Sequence, residues 1–545
     1  MIIPRVQKEI KSNGFISFSE PIKIFQADYP AEKAFSVFKL FCPTVVFRNV
    51  KNRVEADIIL ECLPSVSKNE EFYTIHAAEY PVVVNYRSFS GARNAVASLA
   101  QLLTKTDAGY KIDKTEIEDW PDFEFRSVML DPARGIIPMQ IFKDAILRMA
   151  LAKCNFLHLH LSDGGGYVIK SDICPQVSGP DGKQYTKAEI KEIIAYADML
   201  GIEIMPEVEF PAHAFQLLKD MPQLMCVTKN EIPSPWAVCA GNEETYEVLE
   251  NLYTELAELF PGRYIHVGTD EIEMNDLLKE QTWPTWHDCV RCNALCAEEG
   301  FENNRTEIFY YMLRRVYKMI SKLGKRLVMW NDNIDIAKTP ELPRDILIHF
   351  WRVASENRGP NIGCSMQRFL EEGFEIINSW YPETYIEANF YKNNDSTILV
   401  WDPSSNPECD AALSRQILGG EPCAWGGQVE YEHFAWTLPT SIMLFSDRLW
   451  NKSVCGNLDE YGKAGTRHQL GINAPADLNI FGAFGGFMQP RYMDRRMWED
   501  KAADDDCLAE IDKILETLDR DFIPEGRLAS EYRKSIAWLK EKRKG

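Results

Sequence analysis

The chain has no apolar run approaching the roughly 20 residues of a membrane-spanning helix. Its start, Met1-Ile-Ile-Pro-Arg-Val-Gln-Lys8, lacks the apolar core of a secretory signal. Positive charge is scarce: 60 Lys and Arg stand against 81 Asp and Glu, giving a formal net charge of -21 and a pI near 5.0. Phosphate binding is driven by clustered Lys and Arg, so no nucleic-acid partner is expected, and no membrane partner either. The 14 Cys follow no repeating framework, which suits reduced thiols and a cytoplasmic location better than a disulfide scaffold. Low-complexity tracts and solenoid repeats are also missing.

With 545 residues and 45% hydrophobic content, the chain is long enough for several domains. Residues 1–118 alternate strand-like runs, such as Ala56–Leu60 and Pro81–Asn85, with a helix-like stretch from Ala92 to Leu103, and read as a small α/β auxiliary domain. From 119 to 470 short apolar strands alternate with amphipathic helices, the sequence form of repeated βα units. Eight strands can be counted: Arg126–Asp131, Phe156–Leu161, Ile202–Glu207, Tyr264–Gly268, Arg326–Trp330, Ile346–Trp351, Phe374–Asn378 and Ile417–Glu421. Eight is the number that closes a (β/α)8 TIM barrel, which is the expected catalytic domain. Thr186-Lys-Ala-Glu189 has the form of a capping box, with Gly201 placed to end its helix. Residues 471–545, including Cys507–Phe522 and Leu528–Lys540, read as a C-terminal helical extension.

Active sites of such barrels sit at the C-terminal ends of the strands. The string Tyr264-Ile-His-Val-Gly-Thr-Asp270-Glu271 ends a strand in two adjacent carboxylates, which costs desolvation and mutual repulsion unless chemistry uses them. One anion raises the pKa of the other carboxyl, so Glu271 is expected to be a general acid and Asp270 the anion beside it. Around the other strand ends lie Asp131 with Arg134, Asp163, Glu207 with Glu209 and His213, Trp330-Asn-Asp332, Trp351-Arg352, Tyr385 with Glu387, and Trp425. Carboxylates among tryptophans suit a sugar, whose C–H faces stack and whose hydroxyls meet charged acceptors. Each residue also has a plainer reading: a Trp as core, Glu207 as the partner of a barrel-mouth Arg, and Arg134 as the partner of Asp131.

Together, Leu130-Asp-Pro-Ala-Arg134, Leu157-His-Leu-His-Leu-Ser-Asp163, Pro206-Glu-Val-Glu-Phe-Pro-Ala-His213, His266-Val-Gly-Thr-Asp-Glu271, Tyr385-Ile-Glu387 and Trp425 form an ordered set. In that set the chain resembles glycoside hydrolase family 20, the β-N-acetylhexosaminidases, from about residue 20 to about residue 450. The resemblance implies a retaining exo-enzyme that removes terminal β-linked GlcNAc or GalNAc from glycans. Its nucleophile is the substrate's own acetamido oxygen, passing through an oxazolinium intermediate. It further implies Glu271 as acid and base, Asp270 and Tyr385 holding the acetamido group, and Asp163 and His213 orienting Glu271. Trp330, Trp351 and Trp425 would box the acetamido methyl, with Arg134 and Glu387 on sugar hydroxyls. No cofactor or metal is needed for that chemistry.

The chain departs from the family pattern at Gly135 (usually His), Gly164 (usually Asp), Thr269 (usually Gly), Glu387 (usually Asp) and Gly427 (usually Glu). The last two fall where the terminal sugar is recognised, so the expected substrates extend to GalNAc or a 6-sulfated GlcNAc. Two rival readings are a two-carboxylate glycosidase with Glu207 or Glu209 as nucleophile, and a non-catalytic glycan-binding protein on the same barrel. Oligomeric state has no signal. His287, Cys289, Cys292 and Cys296 have ligand types suited to zinc, although on one helix face the three thiols read first as core packing.

Overall fold

The computed structural model describes residues 1–227, 233–272, 286–301, 305–332, 334, 341–353, 364–386, 399, 401–405, 407–426, 431–454 and 456–470. Eight strands build an N-terminal sheet: β1 (Lys8–Phe18), β2 (Ile22–Gln26), β3 (Phe47–Val50), β4 (Ile58–Cys62), β5 (Tyr73–His76), β6 (Val82–Tyr86), β7 (Thr104–Thr106) and β8 (Gly109–Asp119). Their order is β1-β8-β5-β6-β4-β2-β3, with β7 against β8. The β2, β3, β4 and β6 pairings are parallel, so crossovers are required; α1 (Tyr29–Phe41) makes the one from β2 to β3, while α2 (Phe89–Leu102) leads from β6 to β7. α2 is buried continuously from Gly91 to Ala100 because it lies between this sheet and α3 (Met139–Leu151). Small side chains at Ala92, Ala95, Ala97 and Ala100 permit that double contact.

The second sheet closes on itself. β9 (Phe125–Leu130), β10 (Phe156–His160), β13 (Glu203–Phe210), β16 (Tyr264–Gly268), β17 (Arg326–Trp330), β18 (Leu347–Phe350), β19 (Glu375–Asn378) and β20 (Ile417–Gly420) pair in parallel, and β20 returns to β9. Two short hairpins interrupt the rhythm: β11 (Ser162–Asp163) with β12 (Gly166–Tyr167), and β14 (Met225–Val227) with β15 (Pro233–Val238). A last pairing segment, β21 (Cys423–Ala424), continues along β9. The barrel is therefore the (β/α)8 fold expected from the sequence, with all eight strands where the apolar runs lie. The Thr186–Glu189 capping box forms in full at the start of α4 (Lys187–Met199), and Gly201 has φ 70°.

The β13 strand runs past Glu207 to Phe210, so Glu207 is inside the barrel rather than at its mouth, a correction to the sequence reading. The cause is local: Ser162 Oγ accepts from Glu209 N at 2.7 Å and holds the strand extended. The helical extension expected over 471–545 lies outside the described residues.

The barrel interior is layered. Phe125, Phe156, Met205, Tyr264, Val328, Leu347, Ile377 and Leu418, one from each strand, seal the N-terminal end. Above them comes a polar layer of His158, Glu207, His266, His349 and Glu421, all fully buried. At the top lie Met129, Trp330, Cys423 and Trp425, with Trp351 and Tyr385 packed against them. The two domains are joined by a buried knot in which Lys153 Nζ donates to Asp119 at 2.8 Å and to Tyr73 Oη at 2.9 Å, over the Trp450 ring. Among the described residues, no helix is long and apolar enough to cross a membrane.

Candidate active site

The turn after β16 is backbone-strained where the carboxylates emerge. Gly268, Thr269 and Glu271 have φ of 69°, 88° and 48°, a region that L side chains rarely enter. Gly268 is required, because a Cβ there would overlap Glu209 Oε2. Thr269 is tolerated because its hydroxyl donates to the Trp330 carbonyl at 3.0 Å. Glu271 is held by its own N–H, which donates to Asp332 Oδ2 at 2.8 Å, while its carbonyl accepts from Trp236 Nε1 at 3.1 Å. The surroundings thus fix both the peptide and the direction of the side chain.

A charged relay runs into this turn from the barrel wall. Arg134 sits between Asp131 and Asp163, 2.6 Å from each, so the plain expectation that it pairs with Asp131 holds and a second partner is added. His160 Nε2 lies 2.9 Å from Asp163. His213, at φ 52°, places Nδ1 3.3 Å from Asp163, and Nε2 3.3 Å from Asp270 and 3.5 Å from Glu271. Burial alone would raise the Asp163 carboxyl, yet Arg134 and His213 hold it well below the usual range. Burial likewise opposes charge on His213, but Asp270 and Asp163 push it well above an ordinary imidazole. Asp270 is pushed up to about 7, first by burial and then by Asp332 and Glu271, against the pull of His213. The sequence reading expected a raised carboxyl at Glu271; burial and the neighbouring anions raise Asp270 beside it.

Aromatic side chains wall the other side. Trp351 and Tyr385 are stacked, with ring centroids 5.8 Å apart and planes within 11°. Trp425 lies 5.7 Å from Tyr385 and 6.0 Å from Trp330, and the Arg134 guanidinium sits 4.8 Å over the Trp425 ring. Asp332 ties this wall to the acid turn: it accepts from Trp351 Nε1 at 2.7 Å and Arg352 Nη2 at 2.6 Å as well as from Glu271 N. Trp330 is the deepest of the four, stacked on His349 at 4.1 Å and donating to Glu207 at 2.7 Å.

Glu207 is a hub and does not face a ligand. It is fully buried, bonded to His160 and Trp330, with His266 at 3.0 Å and His158 at 3.1 Å. Burial would raise its carboxyl, but the three imidazoles hold it well below the usual range. On the imidazole side burial opposes charge and is overcome: Glu421 and Glu207 push His158 up to about 9, and Glu207 with Asp131 pushes His160 up to about 10. Glu209 is also buried, and burial with Asp270 and Glu207 nearby raises its carboxyl well above normal, which favours the protonated form.

The sequence-predicted Asp163, His213, Asp270, Glu271, Arg134, Trp330, Trp351, Tyr385 and Trp425 are therefore brought to one mouth; Glu387, Gly427 and His287's side chain lie outside what is described. Sequence reasoning gave no role to Asp332, Arg352 or Trp236. The first two stood at strand ends and were visible as candidates, but Trp236 comes from the β15 hairpin and carries no signal of its own. The proposed set of His287, Cys289, Cys292 and Cys296 is corrected: Cys296 is not part of the thiol group that forms, and Cys226 and Cys239 are. Spacing along one helix could not reveal partners contributed by a distant hairpin.

A closed parallel barrel with paired carboxylates, a histidine relay and an aromatic wall at its C-terminal mouth defines a glycoside-hydrolase class of site. The family model for the glycosyl hydrolase family 20 catalytic domain matches residues 123–453, and the model for domain 2 of the same family matches residues 1–120. The chain belongs to glycosyl hydrolase family 20. Among curated relatives, mouse (Mus musculus) β-hexosaminidase subunit alpha is 25% identical over 437 residues, 76% of this chain and 79% of that protein. The Vibrio furnissii β-hexosaminidase is 29% identical over 360 residues, 61% of this chain and 55% of that one. By fold, the Flavobacterium johnsoniae chitobiase superposes with a TM-score of 0.73 at 22% identity, covering 99% of this chain and 87% of that one. The Vibrio harveyi exo-β-N-acetylglucosaminidase in complex with N-acetylglucosamine gives 0.72 at 21% identity, covering 86% and 76%.

Proposed function

We propose that this chain is a retaining exo-β-N-acetylhexosaminidase that hydrolyses terminal β-linked GlcNAc or GalNAc by substrate-assisted catalysis. The observation that carries the reading is the fate of the spare carboxylates. Glu207 is saturated by three imidazoles and an indole, and Glu209 is buried with its carboxyl pushed well above the ordinary range by burial and its acidic neighbours. Neither is available as an enzyme nucleophile, whereas Asp270 and Glu271 share His213 beside an aromatic wall. That supports a mechanism in which the substrate brings the nucleophile. The family membership and the N-acetylglucosamine complex of the Vibrio harveyi relative support the same sugar.

In this reading Glu271 protonates the leaving oxygen and later activates water. Asp270, as an anion, accepts the acetamido N–H and stabilises the oxazolinium charge, and Tyr385 donates to the acetamido oxygen as it attacks. Trp330, Trp351 and Trp425 exclude water and align the acetamido group. Arg134, fixed by two carboxylates, offers its remaining N–H edge to sugar hydroxyls. A reducing, cytoplasmic setting belongs to the proposal, supported by the described cysteines forming no disulfide.

The test is a panel of aryl N-acetylhexosaminides against wild type and Glu271→Gln. A rate loss that shrinks as the leaving group becomes more activated assigns Glu271 as the acid. Tight inhibition by a thiazoline analogue supports the substrate nucleophile, and weak inhibition with full activity favours the two-carboxylate rival. For the finer selectivity, 6-sulfated and plain chromogenic GlcNAc are compared; faster cleavage of the plain sugar sinks the sulfate reading. Glycan binding without turnover of any N-acetylhexosaminide would make the chain a lectin-like member.

A further inference from the structure

Four cysteines from two distant parts of the chain meet beside the active-site turn. Cys226 lies in β14, Cys239 directly follows β15, Cys289 immediately precedes α7 (Val290–Glu299), and Cys292 is in its first turn. All four are buried, Cys226 at 1% exposure and the others at 0%. Their sulfurs all lie within 4.8 Å of one another. The individual separations are 3.8 Å for Cys226 to Cys292, 3.6 Å for Cys239 to Cys289 and 3.8 Å for Cys239 to Cys292. A tetrahedron with metal–sulfur bonds of about 2.3 Å has edges of about 3.8 Å, so the spacing is that of four thiolates around one zinc. It is far too long for a disulfide, whose sulfurs stand about 2.05 Å apart.

Ordinary core packing explains single buried thiols, such as Cys154, Cys174 and Cys364, which no such cluster joins. It does not explain four sulfurs turned to one centre from a hairpin and a helix start. The Cys289-x-x-Cys292 spacing at a helix N-terminus suits thiolates, because the free N–H groups there favour negative charge. The backbone is built for close approach, since a Cβ on Gly241 would overlap the Arg291 carbonyl, and Trp286 Nε1 donates to the Val238 carbonyl at 2.9 Å.

We propose that Cys226, Cys239, Cys289 and Cys292 bind one structural zinc ion that staples the β14–β15 hairpin to the start of α7. The site is closed, with four protein ligands and no open position, so it takes no part in the bond-breaking chemistry. Its consequence for the active site is positional. The same hairpin carries Trp236, which packs on His213 with ring centroids 4.7 Å apart and donates to the Glu271 carbonyl. The staple thus ties the hairpin that carries Trp236, and through it the Glu271 carbonyl, to the start of the Val290–Glu299 helix.

Zinc binding is read without reference to activity, by elemental analysis of the purified full-length protein after incubation with zinc and desalting. About one zinc per chain is expected. Exchange with Co(II) should give the near-ultraviolet thiolate-to-metal absorption and the visible bands of a tetrahedral four-sulfur site. Cys239→Ser with Cys289→Ser should abolish stoichiometric zinc, whereas Cys296→Ser, on the same helix but outside the cluster, should keep it. Wild type that takes up no zinc, that holds iron in its place, or a double variant that retains full zinc would overturn the proposal. The wild-type measurement stands even if a variant fails to fold.

Discussion

Replacing Asp332 with Asn tests whether the acid turn and the aromatic wall act as one unit. Asp332 Oδ1 accepts from Trp351 Nε1, and Oδ2 from Glu271 N and Arg352 Nη2. Asn has one acceptor and one donor at the end of its side chain. In one orientation its NH2 faces the Glu271 N–H and the Arg352 guanidinium; in the other it faces the Trp351 N–H. Either way a buried charge-assisted bond is lost, which costs about 1.5–3 kcal/mol. Glu271 at φ 48° relies on that bond for its unusual backbone, so the loss should fall on transition-state positioning and reduce kcat by about 10- to 150-fold, with KM changing much less. A second readout follows from charge. Asp332 helps push Asp270 up to about 7, and Asp270 acts as an anion, so wild-type kcat/KM should fall as pH drops through about 7. Without the Asp332 charge, that acid limb should move to lower pH. The assay is the pH profile of 4-nitrophenyl N-acetyl-β-glucosaminide hydrolysis for both proteins. An unchanged limb together with unchanged kcat would refute the coupling of Asp332 to the turn.

Glu207→Gln should act on stability, lowering it by about 3–5 kcal/mol because imidazolium charges are left buried without their partner; restoration of turnover by azide would instead mark Glu207 as a nucleophile. His158 and His160 have folded pKa values raised to about 9 and 10, so their contribution is complete below the ordinary imidazole value near 6.5 and is lost as pH rises through 9 to 10. Melting temperature should accordingly fall over that alkaline window, and a flat profile would contradict the charged assignment. Thr269→Gly exchanges relief of about 1–3 kcal/mol of backbone strain for a lost hydrogen bond of about 1 kcal/mol, so its denaturation midpoint should match or exceed that of wild type. Thr269→Val keeps the strain and loses the bond, and should be the less stable of the two; the reverse order would show that backbone strain at this position is not what glycine relieves.

All eight barrel strands were legible because each is covered on both faces and so reads as a short, mostly apolar run, broken only by polar residues that pair inside the barrel. The reacting groups were legible for a related reason: a barrel presents its chemistry where such runs stop, and Asp270, Glu271, Asp163 and Trp330 each stand at or just past a strand end. What stayed hidden is whatever the fold assembles from segments far apart. Glu207 looked like a mouth residue because nothing in the strand's own run signals that Ser162 would carry β13 on to Phe210. Cys226 and Cys239 could not be matched to Cys289 and Cys292, because a hairpin's docking site is not encoded in its own spacing. Trp236 was invisible for the same reason, being one aromatic in a proline-rich stretch until the hairpin folds back over His213.

The hidden element that most changes the mechanism is burial at the paired carboxylates. Adjacency is symmetric: either acid raises the other, and the sequence cannot say which one carries the shift. Burial breaks that symmetry, since the Asp270 side chain is 11% exposed and the Glu271 side chain 22%. Asp270 therefore holds a proton near neutral pH until something compensates its charge. A sugar with a 2-acetamido group brings an N–H to that carboxylate, and later a positively charged oxazolinium, both of which favour ionisation. A 2-hydroxy sugar brings neither the nucleophile nor the developing cation. On this argument selectivity for N-acetyl sugars arises from the charge on Asp270 as much as from the shape of the tryptophan box, and the two contributions separate by pH. Discrimination against 2-hydroxy glycosides should be greatest above about 7, where Asp270 is already the anion the acetamido group uses, and should shrink as pH falls and that substrate must displace a proton.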